Sequence, residues 1–320
     1  MVVKCNLGDV ERELLGTIAD IYDIPNGAYN FRVNGKSISR NSTADIDVKI
    51  TSKGLEIFVK PGTKHESVHI PVVLSETGHK ETVHNLFHIG EGADVAIIAG
   101  CGIYNCGDVD SVHNGVHILE IGKNAKVYYI EKHYGTGGGK GARNLNPTTE
   151  AHLETGAELI MDLEQIKGVD STARKTSCTL GDSAKLLVRE KIMTHGRQTA
   201  ESIIEASLAG DNSTADIVSR AVATDLSVQK FALNITGEGK CRGHSECDAI
   251  IMDNAKVSAT PALNANSVDA ELIHEAAIGK IAGEQIIKLM TLGLTKKDAE
   301  SLIINGFLRS AWHSQIVKIQ

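Results

Sequence analysis

The chemistry of this 320-residue chain is concentrated in six cysteines, at positions 5, 101, 106, 178, 241 and 247. In AGCGIYNCGDVDSVH, residues 99–113, Cys101 and Cys106 stand five apart, with His113 seven further on. The C-x4-C spacing is wider than the C-x2-C of a zinc knuckle, and no second pair matches it. In GKCRGHSEC, residues 239–247, His244 lies midway between Cys241 and Cys247. That trio carries the donors of a zinc site, but on a strand-turn-strand the side chains need not converge. Thiolates are soft ligands suited to zinc or to iron-sulfur chemistry. A buried cysteine also serves as a small hydrophobe, so position alone does not decide. His113, His133 and His195 read as ordinary polar residues. TGGGKGAR, residues 136–143, lacks the spacing of a phosphate-binding loop and reads as a connection between structural units.

Composition bounds what these residues can serve. The net charge is -7 with no basic block, so neither nucleic acid nor an anionic membrane is an expected partner. No apolar run approaches the roughly 18 residues of a membrane span. The first sixteen residues, MVVKCNLGDVERELLG, hold no apolar run after the basic residue, so export is not expected and a cytoplasmic location is. In a reducing compartment, scattered cysteines are thiols or metal ligands rather than a disulfide framework. Gly numbers 31 against 5 Pro, and aromatics make up 4%, a composition suited to small, stacked, tightly turning units.

A repeated phrase shows how such units are built. Gly or Asn, then Ala, a charged residue and an aliphatic one recur as EGADVAI at 91, GKNAKVYYI at 122, TGAELIM at 155, GDSAKLLV at 181, NSTADIVS at 212 and DNAKVSA at 253. Ala93, Ala125, Ala157, Ala184, Ala215 and Ala255 hold the small position. Alternating β-type segments flank most of these phrases. Strand, tight turn and strand about every 30 residues is the pattern of a solenoid, although an antiparallel sandwich is punctuated in a similar way. Before the repeat, residues 8–22 read as an amphipathic helix and residues 28–75 as strands. After it, residues 279–293 take a helical period that stops at Gly293. A second helix begins with Thr295 as N-cap and Asp298 three residues on, and its apolar face holds Ala299, Leu302, Ile303, Gly306 and Phe307. This hairpin reads either as a cap on the last coil or as a platform for a partner. The resulting division is 1–78, 79–273 and 274–320.

Four stretches together resemble the SufB/SufD family of iron-sulfur cluster assembly scaffolds. They are GCGIYNCGDVDSVH with VYYIEKHYG, ECDAIIM at 246–252, HEAAIGKIAGEQI at 274–286 and GLTKKDAESLIINGFL at 293–308. The resemblance implies a mainly β fold, a right-handed parallel β-helix with a C-terminal helical domain. It implies that Cys101 matches the family cysteine that accepts sulfur inside the β-helix. Cys247 matches the cysteine where the nascent cluster forms at a subunit interface. Glu275 and His274 match residues beside it and, with Cys247, make the implied ligand set for a transient iron-sulfur cluster. Adjacent residues of a strand face opposite sides, so His274 and Glu275 cannot both enter one site from a regular strand. Cys106 has no family counterpart and reads as a second ligand or a plain thiol; Cys241 and His244 are further candidates, and Cys178 is unassigned. The resemblance also implies a partner, a SufC-like ABC ATPase docked on the C-terminal helices, because this chain has no phosphate loop of its own. It implies a sulfur donor and a second SufB/SufD-type subunit, here a homodimer because the chain is short. The chain itself is then a scaffold and not an enzyme. A zinc protein and a carbohydrate-active β-helix are the competing readings.

Overall fold

The computed structural model describes residues 7–23 and 25–308, so Cys5 and the expected helical residues 309–320 lie outside the described part. Within it the chain winds as a β-solenoid of about 8 turns, with one helix before the coils and two after them. Successive strands alternate between two sheets and stack in parallel coil on coil, except Lys36–Asn41 and Ile46–Ile50, which pair antiparallel at the N-terminal end. In the first sheet Asp94–Tyr104, Lys126–Thr136, Glu158–Lys167, Lys185–Thr194, Thr214–Ala223, Cys241–Ile251 and Ala270–Gly279 lie side by side in that order. The solenoid reading of the repeat therefore holds, and the antiparallel sandwich does not.

The repeated phrase explains the stacking. Gly92, Asn124, Gly156 and Ser183 sit at positive φ, the left-handed region that Gly and Asn tolerate best, immediately before the recurring alanines. This conformation turns each N–H along the solenoid axis toward the next coil. Gly92 donates to Lys123 O at 2.8 Å, Asn124 to Thr155 O at 3.0 Å, Gly156 to Asp182 O at 2.8 Å and Ser183 to Asp211 O at 2.8 Å. The alanines that follow are buried, so no side chain holds the coils apart. Inward positions alternate with outward ones along each strand. One stack of inward residues runs Ile97, Tyr129, Met161, Val188, Ile217.

The strand Asp94–Tyr104 is buried on both faces. Its outer face is covered by α1 (Asp9–Ala19), whose Leu14, Leu15 and Ile18 pack on Ala96 and Ile98. Gly100 and Gly102 are what allow α1 to lie there. A Cβ on Gly100 would come within 2.5 Å of Ile18 O, and one on Gly102 within 3.1 Å of Leu14 Cδ2. Cys101, between them, points the other way, into the solenoid. The strands expected over residues 28–75 form a hairpin and the first coil. Ala28–Val33 turns through Asn34 and Gly35 into Lys36–Asn41, while Gly54–Val59 and Lys64–His69 pair in parallel with the coils above. Parallel pairing thus begins before residue 79. At the other end, residues 274–279 continue the strand Ala270–Gly279 rather than opening the helical part.

α2 (Gly283–Thr291) buries no residue, and α3 (Lys296–Leu308) buries Ala299 and Leu308. Asp298 N–H donates to Thr295 Oγ1 at 3.2 Å, the expected cap. α3 is seated against the outer face of Thr214–Ala223, where Arg220 Nη1 donates to Phe307 O at 3.2 Å. The last strands of the solenoid, Lys256–Ala259, Ala262–Ala265 and Ala270–Gly279, contain no buried residue. No described helix is long and apolar enough to cross a membrane.

Candidate functional site

Strand alternation decides which donors enter the solenoid. In Cys241–Ile251 the inward set is Cys241, Gly243, Ser245, Cys247 and Ala249, and the outward set includes His244, Glu246 and Asp248. The Cys241–His244–Cys247 trio therefore does not converge, because His244 is on the opposite face from both thiols. On the next strand His274 points inward and Glu275 outward, as period-two geometry requires. His274 Nδ1 lies 2.8 Å from Ser245 Oγ, and its Nε2 is buried with no hydrogen-bond partner. Cys247 is fully buried one register step from Ala276 and from Ser219. The structure thus brings Cys247 and His274 to one face of the last two coils and sends Glu275 to the other.

Cys101 lies five strand steps away in the same sheet, roughly 24 Å at about 4.8 Å per strand. It is buried against Val72, Leu74, Ile103, Leu145 and Val169. Its register partner one coil up is His133. From there a buried polar ladder crosses the otherwise aliphatic interior. Arg174 Nη2 donates to His133 Nδ1 at 3.3 Å, and His133 Nε2 faces Glu131. Arg174 Nη1 also donates to Glu131 Oε2 at 3.2 Å, while its Nε lies 3.6 Å from Glu190 Oε1. Glu190 accepts from Ser202 Oγ at 2.6 Å and Ser219 Oγ at 2.7 Å. Ser219 is the register partner of Cys247. A branch on the second sheet side runs from Asn85 to His117 to Tyr129, whose hydroxyl donates to Glu131 at 3.1 Å.

The electrostatics follow from this arrangement. Burial raises the Glu131 carboxyl, but Arg174 and His133 outweigh it and hold the group well below the usual carboxylate range. Burial, with Glu131 and Glu81 nearby, pushes the Cys101 thiol well above its ordinary value. Burial, then Glu190 and Asp248, pushes Cys247 up to about 12. Burial and then His244 lower His274, which keeps its imidazole neutral and available as a ligand. Cys178 is pushed to about 12 by burial alone and packs in the aliphatic core as a small hydrophobe. Cys241 faces inward at the strand's start and belongs to the same core. Cys106 is exposed on the turn after Asp94–Tyr104, away from the buried set.

The family model described as SUF system FeS cluster assembly, SufBD core domain, matches residues 72–307. The chain belongs to the SufBD family. An iron-sulfur cluster assembly SufBD family protein of Archaeoglobus fulgidus is 30% identical over 253 residues, covering 78% of this chain and 66% of its own length. One from Methanothermobacter thermautotrophicus strain Winter is 29% identical over 239 residues, 71% of this chain and 55% of its own length. One from Methanocaldococcus jannaschii is 28% identical over 273 residues, 82% of each chain. The chain therefore spans less than two thirds of the first two relatives and most of the third.

Within this SufBD chain no short motif marks the ladder. His113 and His133, read as ordinary polar residues, are 2% and 3% exposed. His113 Nδ1 lies 3.1 Å from Glu81 Oε1, and His133 lies between Arg174 and Glu131. His195 is exposed. The signal that was available is phase. In KVYYIEKHY, Glu131 and His133 share the inward phase of Val127 and Tyr129.

Proposed function

We propose that this SufBD protein is a scaffold subunit of a SUF-type assembly complex, taking up sulfur at Cys101 and building a nascent iron-sulfur cluster at Cys247 and His274. The observation that carries the reading is the ladder of Glu131, Arg174 and Glu190 between two buried thiols. Burying charges costs several kcal/mol per ion and stabilises a fold weakly at best. A solenoid core needs none of them, so their alignment between Cys101 and Cys247 is functional in this reading.

Sulfur uptake is a thiol exchange. Burial keeps Cys101 a thiol, so as its sulfur attacks the outer sulfur of a persulfide on a donor cysteine its proton passes to the departing donor thiolate, and Cys101 carries the persulfide without net oxidation. Release of that sulfur as sulfide takes two electrons from a reductant outside this chain. Iron and sulfide are the substrates that meet at the last coil. There Cys247 supplies a thiolate and His274 a neutral nitrogen, a mixed set that holds iron less tightly than four thiolates and so allows transfer.

The open end supports pairing with a second SufB/SufD-type subunit. Among the described residues Ala270–Gly279 is an edge strand with one side unpaired; Ile273 and Ile278 are exposed along it, and Val268 is exposed just before it. A second copy laid against this edge completes the ligand set around Cys247. The exposed apolar side of α2 supports docking of an ABC-type ATPase, whose motion opens the joint.

The test is anaerobic reconstitution with iron and sulfide, followed by absorption and Mössbauer spectroscopy. Cys247→Ser is expected to lose the cluster. Cys101→Ser is expected to keep a cluster built from free sulfide but to lose persulfide uptake from a donor. A cluster of full occupancy in Cys247→Ser sinks this reading.

A further inference from the structure

The outer face of the last two coils carries a second set of ligands that the cysteine chemistry does not use. Glu246 and Glu275 are direct register partners on adjacent strands, both facing outward. Like charges placed opposite each other across a sheet repel. One donor atom each from His244, Glu246 and Glu275 lies within 4.8 Å of the others. His244 is oriented from behind: its Nδ1 lies 2.8 Å from Asp216 Oδ1 on the neighbouring strand. A carboxylate on Nδ1 fixes the proton there and turns the Nε2 lone pair outward, the arrangement found behind metal-bound histidines. Nε2 faces Glu275 Oε2 at 3.9 Å. The counter-charge within reach of Glu246 is Arg220, at 3.9 Å, whose guanidinium also serves Phe307 O.

We propose that His244, Glu246 and Glu275, with Asp216 orienting the imidazole, form a divalent transition-metal site on the outer face of the last coil that receives iron(II). One imidazole nitrogen and two carboxylate oxygens make a borderline-to-hard donor set suited to a ferrous ion and unlike a thiolate site. Bonds of about 2.1 Å require the three donors to close in by roughly an ångström, which two glutamate side chains accomplish by rotamer change. Glu246 adjoins Cys247, and Glu275 adjoins His274, each on the opposite face of its strand. Iron held outside is therefore one residue from the inner ligands. The identification of the ion as iron(II) rests on the assembly reading above; the ligand set does not.

Cobalt(II) is the probe, titrated anaerobically into the sulfide-free protein and followed by its visible ligand-field bands, with iron(II) then read by Mössbauer spectroscopy. One ion per chain is expected, in a nitrogen–oxygen environment without thiolate charge transfer. His244→Ala with Glu246→Gln is expected to abolish binding, and Asp216→Asn to weaken it about 10- to 100-fold. Cys247→Ser and His274→Ala are expected to bind as the wild type does. Binding that survives His244→Ala with Glu246→Gln, that is lost in Cys247→Ser, or that is absent from the wild type overturns the site. Sulfide added afterwards separates the two ideas. Cobalt binding with no cluster formation in iron leaves the site and removes the assembly reading, and a cluster formed without cobalt binding does the reverse.

Discussion

Cys247 is the register partner of Ser219, and the Ser219 hydroxyl is bound to the buried Glu190 at 2.7 Å. The Cys247 thiol therefore stands one register step from a hydroxyl that is bound to a carboxylate in the core. Burial is the larger reason that this thiol is pushed up to about 12, and Glu190 adds to it. Glu190→Gln keeps an acceptor for Ser219 and removes the charge. The Cys247 thiol is expected to fall below about 12 but to stay above 9, its ordinary value, because burial remains. The pH dependence of Cys247 alkylation, read by mass spectrometry, measures it. An unchanged profile shows that Glu190 and Cys247 do not communicate.

Arg174 stands between Glu131 and Glu190, and all three are buried. Removing the cation alone leaves two carboxylates unpaired in the core. Arg174→Met is expected to destabilise the fold by about 3–5 kcal/mol. Adding Glu131→Gln and Glu190→Gln to it is expected to recover most of that loss, since neutral groups remove the uncompensated charge. Urea unfolding of the two variants gives the comparison. A triple variant no more stable than Arg174→Met shows that packing, not charge, sets the cost.

The acid limb of stability has an identifiable source. Asn85 Nδ2 donates to His117 Nε2 at 3.2 Å, and His117 Nδ1 lies 2.6 Å from Tyr129 Oη. The ring is therefore held neutral, with Nε2 already occupied as an acceptor. Burial pushes its pKa from 6.5 down to about 4, more than Glu131 pulls it back. The folded value lies below the unfolded one, so between pH 6.5 and 4 the unfolded state binds the extra proton. Stability is whole above that window and falls with pH through it, by about 3 kcal/mol in total. His133, also lowered by burial, adds in the same direction. His117→Gln is expected to flatten the dependence of urea midpoint on pH across this window, whatever its effect at pH 7. A slope equal to that of the wild type assigns the acid limb elsewhere.

How far the sequence shows all this depends on the kind of signal. The turn phrase is legible because each Gly or Asn answers a local demand, a positive φ whose N–H reaches the next coil at Lys123, Thr155, Asp182 or Asp211. Cys101, Cys247, His274 and Glu275 are candidates through resemblance alone, and strand alternation separates His274 from Glu275. Arg174 was not legible. Its partners His133, Glu131 and Glu190 lie 41, 43 and 16 residues away on the other sheet, and only the winding of the coils brings them together. The Cys241–His244–Cys247 spacing does not make a site, as strand geometry allows, because an extended strand sends every second side chain outward.

The pair of glycines around Cys101 carries a prediction about the helix behind it. Gly100 has no room for a Cβ, which would stand 2.5 Å from Ile18 O, a backbone atom that cannot swing away. Gly100→Ala is expected to lift α1 from the strand and destabilise the fold by about 1–3 kcal/mol. The exposure that follows falls on Ala96, Ile98 and Cys101's strand, so Cys101 alkylation is expected to speed up as well. Thermal unfolding with thiol labelling reads both effects. Wild-type stability in Gly100→Ala removes the close approach of α1 from the account.

The last two helices are the remaining place where a partner is expected, and their packing says which residues to test. Phe307 is a poor probe: its carbonyl and ring both engage Arg220, so its loss disturbs the seat of α3 itself. Ile287, Met290 and Leu292 on and after α2, and Leu302 on α3, are exposed among the described residues. An apolar set on a surface helix pair is the signature of a helix-in-groove contact. Ile287→Asp with Leu302→Asp is expected to leave the melting temperature within a few degrees of the wild type, because surface changes shift stability by about 0.5 kcal/mol or less. It is also expected to abolish co-purification of the ABC-type ATPase. Retention of the ATPase by a folded double variant places its docking surface elsewhere, and the inner thiols and the outer ligand set stand without it.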